Sequence, residues 1–155
     1  MKILIWTGHH GTLDAAIKLL THGKGSHAAF LREDGQTVHE AFWPRVRDRR
    51  LTFQDRQNAQ CFDLAGVTDK HHRMFERLFD ANLKCGIKYS VLDLVRFALN
   101  RPCRDEAHTF CSRYVMHCCH AVLPEALMPL VRLPDGDWAS PRDLRISPRL
   151  TLAMI

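Results

Sequence analysis

The segment from Ser26 to Phe42 constrains the fold most, because it predicts two antiparallel strands joined by a tight turn. An extended segment over Ser26–Arg32 precedes Glu33-Asp34-Gly35, which is typical of a hairpin turn, and a second extended segment follows over Thr37–Phe42. Side chains along a strand point alternately to its two faces. The residues of this hairpin therefore divide between the two sides of a sheet.

The rest of the chain predicts helices packed on a small antiparallel sheet, which is an α+β fold. Further strands are expected over residues 2–6 and 59–64, and an Arg-rich loop follows Pro44. Helices are expected over residues 12–21, 68–85, 90–99 and 108–123, with Thr68 or Asp69, Ser90 and Gly86 as capping residues. The tail from residue 124 contains Pro129, Pro134, Pro141 and Pro148 and is expected to be loop and short extended pieces.

Length and composition favour one folded domain over residues 1–155. The 155 residues are 46% hydrophobic, which is enough to bury a sizeable core, and no Pro-, Gly- or Ser-rich tract interrupts them. The first apolar run is broken at Thr7-Gly8-His9-His10, short of a signal peptide, and no window reaches the roughly 18 apolar residues of a membrane span. We therefore expect a cytoplasmic protein.

Six cysteines in such a chain are expected to be free thiols, metal ligands or a nucleophile rather than a disulfide framework. A structural zinc site is the main alternative to a nucleophilic cysteine, because a short stretch contains many suitable ligand types: Cys103, His108, Cys111, His117, Cys118, Cys119 and His120. The spacing fits zinc poorly, since the stretch has no Cys-x-x-Cys or His-x-x-x-His pair. We expect neither a metal nor a cofactor.

Cys111 is the best candidate nucleophile. A thiol attacks as the thiolate, which a helix N-terminus and a neighbouring imidazole both favour. The pattern places Cys111 in the first turn of the helix predicted over 108–123, with His108 or Thr109 as its cap, where free N–H groups could also bind an oxyanion. From the residues alone, a cysteine such as Cys111 is more often a buried structural thiol than a nucleophile.

His27 is the best of ten histidines to act as the base. It stands at the start of a predicted strand and is followed by the small residues Ala28 and Ala29, which let a substrate approach. The partner strand offers His39 and Glu40 to orient the imidazole, and alternation allows only one of them to face it. The residues alone leave this choice open.

The order of these motifs resembles the permuted NlpC/P60 papain-like superfamily, in the branch that holds YiiX-like and lecithin retinol acyltransferase-like proteins. The chain has Gly-x-Ser-His-Ala-Ala-Phe, then Val-His-Glu-Ala, Tyr89, Phe-Cys-Ser-Arg-Tyr-Val and finally Ser-Pro-Arg-Asp-Leu. In this branch the histidine strand precedes the cysteine helix. The resemblance covers about residues 3 to 148.

The resemblance implies a circularly permuted papain-like fold with Cys111 as nucleophile, His27 as base and Glu40 as the orienting residue. YiiX-like members have Glu-Ala at the corresponding place, whereas acyltransferase-like members use a second histidine, for which His39 is the candidate. Three residues are assigned to substrate binding, namely Ser26, Tyr89 and Ser112, although Tyr89 could equally be an ordinary half-buried tyrosine.

The chain departs from the family pattern at two places. Ala28-Ala29 stands where relatives tend to have a β-branched residue and Gly, a small change for a strand. Arg113 stands where many relatives have Glu, which reverses a charge two residues from Cys111. The second departure puts the substrate class in doubt.

The expected function is an amidase or peptidase that works through an acyl-enzyme. The family resemblance favours peptidoglycan peptides as the substrate and a bacterium or phage as the source. One alternative is a thiol acyltransferase or lipid-ester hydrolase of the same fold. Another is a non-catalytic module that binds an anionic polymer or lipid, consistent with a net charge of +5 and with the basic run Arg45, Arg47, Arg49 and Arg50. The loops expected to decide the substrate span residues 43–58 and 124–140.

Overall fold

The computed structural model describes residues 1–7, 25–99, 108–130 and 139–154. The helix predicted over residues 12–21 lies outside the described residues, as does Cys103. Within the described segments, strands and helices follow one another in the mixed order of an α+β protein, which confirms the predicted class.

The described residues form an eight-stranded sheet that is curled into a half-barrel. The strands β1 to β8 are, in chain order, Lys2–Trp6, His27–Leu31, Thr37–Phe42, Arg45–Arg50, Ala59–Leu64, Lys88–Tyr89, His108–Thr109 and Leu150–Ala153. Their order across the sheet is β7-β6-β4-β3-β2-β1-β5-β8. The pair β6–β7 is parallel and the other neighbours are antiparallel. The sheet is therefore larger than predicted, and mixed at one edge.

The described segments contain five α-helices, and two of them have the predicted capping residues. Their bounds, from α1 to α5, are Phe53–Asn58, Asp69–Cys85, Val91–Ala98, Cys111–Val122 and Pro141–Arg145. Thr68 is the N-cap of α2, and Gly86 ends that helix in the left-handed conformation at φ 65°. Ser90 caps α3 by accepting the backbone N–H of Asp93. None of these helices is both long and apolar enough to cross a bilayer.

The sheet packs on both of its faces, and β2 illustrates the division. Ala28 and Phe30 belong to the main hydrophobic core, together with residues of α2 and α4. Ala29 and Leu31 belong to a second cluster with residues of β1 and β3. By alternation, His27 lies on the side of the strand that carries Ala29. The candidate base is thus set at the end of the sheet beside the smaller cluster.

The Arg-rich segment after Pro44 is a strand, so its prediction as a loop is wrong. Residues 45–50 form β4, which pairs with β3 from Phe42↔Arg45 to Thr37↔Arg50. Val46 is buried, whereas Arg47 and Arg49 on the opposite side bind carboxylates. Ion pairing therefore allows arginine at alternate positions of a central strand.

The predicted start of the cysteine helix is also wrong by three residues. His108 and Thr109 form β7, which pairs with β6, and Phe110 is the N-cap of α4. The predicted caps His108 and Thr109 are thus strand residues, and the tail expected to lack a helix contains α5 and the sheet strand β8. These pairings are non-local, and hydrophobic periodicity does not report them.

Candidate active site

His27 begins β2 at the point where this strand pairs with the end of β1. His27 and Trp6 are register partners, and their ring centroids lie 5.1 Å apart. The buried Ser26 donates to the carbonyl of Trp6 from both its N–H, at 2.9 Å, and its hydroxyl, at 3.4 Å. An added Cβ on Gly25 would lie 3.2 Å from the Cβ of Pro141. This packing fixes the backbone beneath the imidazole and commits the Ser26 hydroxyl to β1.

Glu40 of β3 contacts the imidazole of His27. Nε2 of His27 donates to Oε2 of Glu40 at 3.0 Å, and Glu40 is only 1% exposed. Because Phe30 pairs with His39, the next residue, Glu40, lies across from Ala29 and on the side of His27. Strand register therefore brings together this histidine and this carboxylate.

Cys111 reaches the same imidazole from the N-terminus of α4. It is the first residue of the helix and is buried, and its side chain lies close enough to His27 to raise the pKa of the imidazole. Since Nε2 is bound to Glu40, Nδ1 is the ring nitrogen left for the thiol. Residues from β2, β3 and α4 thus meet around one imidazole.

The electrostatics of this group keep the imidazole of His27 charged. Burial lowers the pKa of His27, but its interactions with Cys111 and Glu40 raise it to about 10. The imidazole therefore keeps its proton at neutral pH, and an imidazolium beside a thiol stabilises the thiolate. This arrangement can chemically support a nucleophilic thiolate with an adjacent proton donor.

Two arginines of β4 hold the other oxygen of Glu40. Oε1 accepts from Nε and Nη2 of Arg47 at 3.0 and 2.9 Å, and from Nε of Arg49 at 2.9 Å. Burial raises the pKa of Glu40, but the bond and charge of His27 and the charge of Arg49 lower it to about 2. Glu40 is therefore ionised at neutral pH, with Oε2 left for the histidine.

The sequence analysis missed this role of the arginines. The available signal was the alternation of Arg45, Arg47 and Arg49, which suits one face of a strand better than a loop. Arg45 and Arg50 are exposed, whereas Arg47 and Arg49 donate hydrogen bonds to Glu40. The four arginines predicted to bind an anionic partner thus have different surroundings.

Arg49 is itself held by Asp55 of α1. Its Nη1 and Nη2 donate to Oδ2 and Oδ1 of Asp55 at 2.6 and 3.0 Å, and Nε1 of Trp6 also donates to Oδ1, at 3.0 Å. Burial raises the pKa of Asp55, but bonds from Arg49 and Thr52 hold it well below its usual range. A chain of hydrogen bonds therefore runs from Trp6 to Glu40.

His39, the alternative orienting residue, binds elsewhere. It is fully buried and stacks on Phe79 of α2 with centroids 4.2 Å apart. Nδ1 lies 2.5 Å from Oδ1 of Asp48, and Nε2 lies 2.6 Å from the hydroxyl of Tyr114. His39 therefore joins the sheet to α4 on the face opposite Glu40.

The other two predicted substrate-binding residues are in contrasting positions. Tyr89 of β6 is half-buried and packs against the cluster of Leu94 and Phe110. Ser112 follows Cys111 in the first turn of α4 and is fully buried. Among the described residues, no partner hydrogen-bonds to the Ser112 hydroxyl.

Arg113 is buried, although its charge was expected to bear on the substrate. Nη1 donates to the carbonyl of His108 at 3.0 Å and lies 3.9 Å from Oδ2 of Asp93 in α3. The side chains of Arg113 and Asp93 are each 4% exposed. The reversed charge is thus compensated inside the protein.

No three His, Cys, Asp or Glu residues are grouped to hold a metal ion within the ranges 1–7, 25–99, 108–130 and 139–154. Cys118 and Cys119, two of the predicted rival ligands, are buried in the main core. Burial raises the pKa of Cys118 to about 12 and raises the pKa of Cys119 well above its ordinary value. The apolar surroundings of both thiols therefore disfavour the thiolate form in which cysteine binds a metal.

Comparison with known proteins supports the fold. No protein-family model matches the sequence, and no curated protein matches it. The chain is similar to a crystal structure of metalloprotein YiiX from Escherichia coli O157:H7, DUF1105, with a TM-score of 0.69 at 16% identity. The match covers 98% of this chain and 94% of that chain. The protein therefore has a YiiX-like fold.

Proposed function

We propose that this chain is a cysteine hydrolase on a permuted papain-like scaffold, which cleaves an amide bond through an acyl-enzyme. The observation that carries the proposal is the imidazole of His27 held between the side chains of Cys111 and Glu40. A nucleophile, a base and an orienting carboxylate in that order form the catalytic unit of many acyl-transfer enzymes.

In the first half-reaction the thiolate of Cys111 attacks the substrate carbonyl. The Sγ–C bond forms while the carbonyl π electrons move to oxygen, and the free N–H groups at the start of α4 are suited to bind that oxyanion. When the intermediate collapses, the C–N bond breaks and His27 gives its Nδ1 proton to the leaving amine. The products are a thioester on Cys111 and a neutral imidazole.

In the second half-reaction water replaces the amine. The neutral His27 takes a proton from water as its oxygen attacks the thioester carbonyl, and the C–S bond then breaks to restore the thiolate and the imidazolium. Glu40 keeps the imidazole in one orientation throughout and stabilises its charged form. Because Arg47 and Arg49 hold Oε1, Glu40 is a pre-organised partner for this role.

Peptide amides of peptidoglycan remain the substrate class that we propose to test first. His39 as the orienting residue would favour the acyltransferase alternative, but His39 binds Asp48 and Tyr114 instead. We therefore do not advance it as a second candidate.

The first experiment is the pH dependence of alkylation by iodoacetamide, with each labelled cysteine located by peptide mass. We expect Cys111 to be labelled in a reaction that depends on the adjacent imidazole. Labelling should slow strongly in His27→Gln and moderately in Glu40→Gln. The exposed Cys85 provides an internal reference, because it lies outside the site.

Two controls make the result decisive. Near-ultraviolet circular dichroism of each variant separates loss of reactivity from loss of folding, and Cys85→Ser should leave the Cys111 profile unchanged. An inert Cys111 in folded wild-type protein would overturn the proposal. Binding of an anionic polymer that survives Cys111→Ala, without any covalent adduct, would favour the non-catalytic module.

A further inference from the structure

Two arginines on one side of β4 share Glu40 but use their guanidinium groups differently. A guanidinium group has a side-on edge, made of Nε and one Nη, and an end-on edge, made of both Nη atoms; each edge can bind a carboxylate. Arg49 gives its end-on edge to Asp55, at 2.6 and 3.0 Å. Arg47 gives its side-on edge to Oε1 of Glu40, at 3.0 and 2.9 Å.

The end-on edge of Arg47 does not bind Glu40. Nη1 of Arg47 has no hydrogen-bond partner among the residues that the structure describes, and the side chain is 39% exposed. The side chain of Arg49 is only 26% exposed, and its three nitrogens all donate. Of the two arginines on Glu40, Arg47 is therefore the one able to bind a further anion.

Arg47 also stands beside the candidate catalytic histidine. Arg47 and His27 bind the two oxygens of one carboxylate, that of Glu40. The ring of Phe42 links them as well, with its centroid 4.4 Å from Cζ of Arg47 and 5.7 Å from the centroid of His27. Phe42 and Trp43 are 42% and 64% exposed. An available cation and an exposed apolar surface thus adjoin His27.

We propose that Arg47 binds a carboxylate of the substrate, so that the enzyme selects acyl groups or peptides with a free carboxylate near the scissile bond. This inference rests on the proposed function. A carboxylate matches the planar end-on edge with two parallel N–H···O bonds, while the stacking of the guanidinium on Phe42 and its bonds to Glu40 hold that edge in place before binding. Phe42 and Trp43 then accommodate the apolar part of the substrate.

The test compares two reagents that differ in charge alone. One is an iodoacetamide extended by a short alkyl chain that ends in a carboxylate, and the other ends in the neutral primary amide. The ratio of their alkylation rates at Cys111, measured within one variant, cancels any change in the reactivity of the thiol. We expect the carboxylate reagent to alkylate Cys111 about ten times faster than the amide reagent in wild type at low salt, as for one charge-assisted contact.

Three variants locate the source of that ratio. Arg47→Met keeps the apolar stem on Phe42 and should bring the ratio close to one. Arg47→Lys keeps the charge without the planar edge, so an intermediate ratio is expected. Arg50→Met removes an exposed charge from the same strand and should keep the wild-type ratio.

The possible failures are distinguishable. If neither reagent labels Cys111 in folded wild-type protein, the proposed function falls and this inference falls with it. If both reagents label at equal rates in wild type, only the carboxylate site is overturned. An equal drop in Arg47→Met and Arg50→Met would trace the ratio to net charge and would also overturn it. Arg47→Lys serves alone if Arg47→Met does not fold.

Discussion

The adjacent residues His39 and Glu40 bind different partners on opposite faces of one strand. Oε2 of Glu40 lies 3.0 Å from Nε2 of His27, whereas Nε2 of His39 lies 2.6 Å from the hydroxyl of Tyr114. Burial raises the pKa of Tyr114 far above its usual range, so its hydroxyl stays protonated. This hydroxyl donates a hydrogen bond to Nε2 of His39. Nδ1 of His39 then donates to Asp48. One residue thus serves the candidate site and its neighbour joins the sheet to α4.

This division predicts separable effects of two substitutions. His39→Gln should destabilise the protein by roughly 1–3 kcal/mol, because the hydroxyl of Tyr114 and the carboxylate of Asp48 each lose one hydrogen bond to a buried side chain. Reactivity of Cys111 in the folded fraction should persist. Glu40→Gln should reduce that reactivity instead. Urea unfolding and the iodoacetamide profile measure the two effects, and a His39→Gln variant of wild-type stability with an inert Cys111 would contradict the assignment.

The raised pKa of His27 predicts a loss of stability in mild alkali. The folded value of about 10 lies above the ordinary 6.5, so the folded state holds a proton that the unfolded chain releases between these values. The stabilisation is therefore complete below about pH 6.5 and disappears as the pH rises to about 10. The free energy of unfolding should fall more steeply across this range in wild type than in His27→Gln. Urea titrations at several pH values test this.

Cys111→Ala provides the control for that pH dependence. It removes one of the two groups that raise the pKa of His27 while leaving Glu40 in place. The decline in stability should then still begin near pH 6.5 but end at a lower pH than in wild type, so the total loss is smaller. Equal slopes in wild type, Cys111→Ala and His27→Gln would show that another group causes the decline.

The ion pair of Arg49 with Asp55 is expected to support the fold around Glu40. Asp55→Asn removes the charge that binds Arg49 and weakens the acceptor of the Trp6 indole N–H. We expect a loss of roughly 1–3 kcal/mol in the free energy of unfolding. Asp80→Asn is the matched control, because its pair with Arg32 involves an Asp side chain that is 58% exposed. That surface change should cost less than about 1 kcal/mol.

Arg113 is expected to matter for stability rather than for substrate charge. Arg113→Met leaves the carboxylate of Asp93 buried without this compensating charge, which should cost roughly 3 kcal/mol. The double variant Asp93→Asn with Arg113→Met should recover part of the loss, as calorimetry can measure. The ratio of carboxylate to amide reagents at Cys111 should match wild type in both. A changed ratio would place Arg113 at the substrate.

Local signals in the sequence were sufficient for much of the fold. The turn at Glu33-Asp34-Gly35 and the caps Thr68, Ser90 and Gly86 act within a few residues, and the structure has the predicted elements beside them. The cysteine was expected near a helix start, and Cys111 is the first residue of α4. Such features depend on backbone geometry and neighbouring side chains, so they can be predicted from a short stretch of sequence.

The sequence by itself determined the α+β class, most element bounds and the set of candidate residues, because periodicity, caps and turns are local properties of the chain. Tertiary structure decided which candidate meets His27, since that depends on how β2 and β3 align and on where α4 begins. It also decided the partners of Arg47 and Arg49, because strand pairing sets Glu40 opposite Arg47, and Arg49 reaches Glu40 from the next position on the same face of β4. Contacts between distant residues arise only when the sheet and its helices are assembled, and the site is made of such contacts.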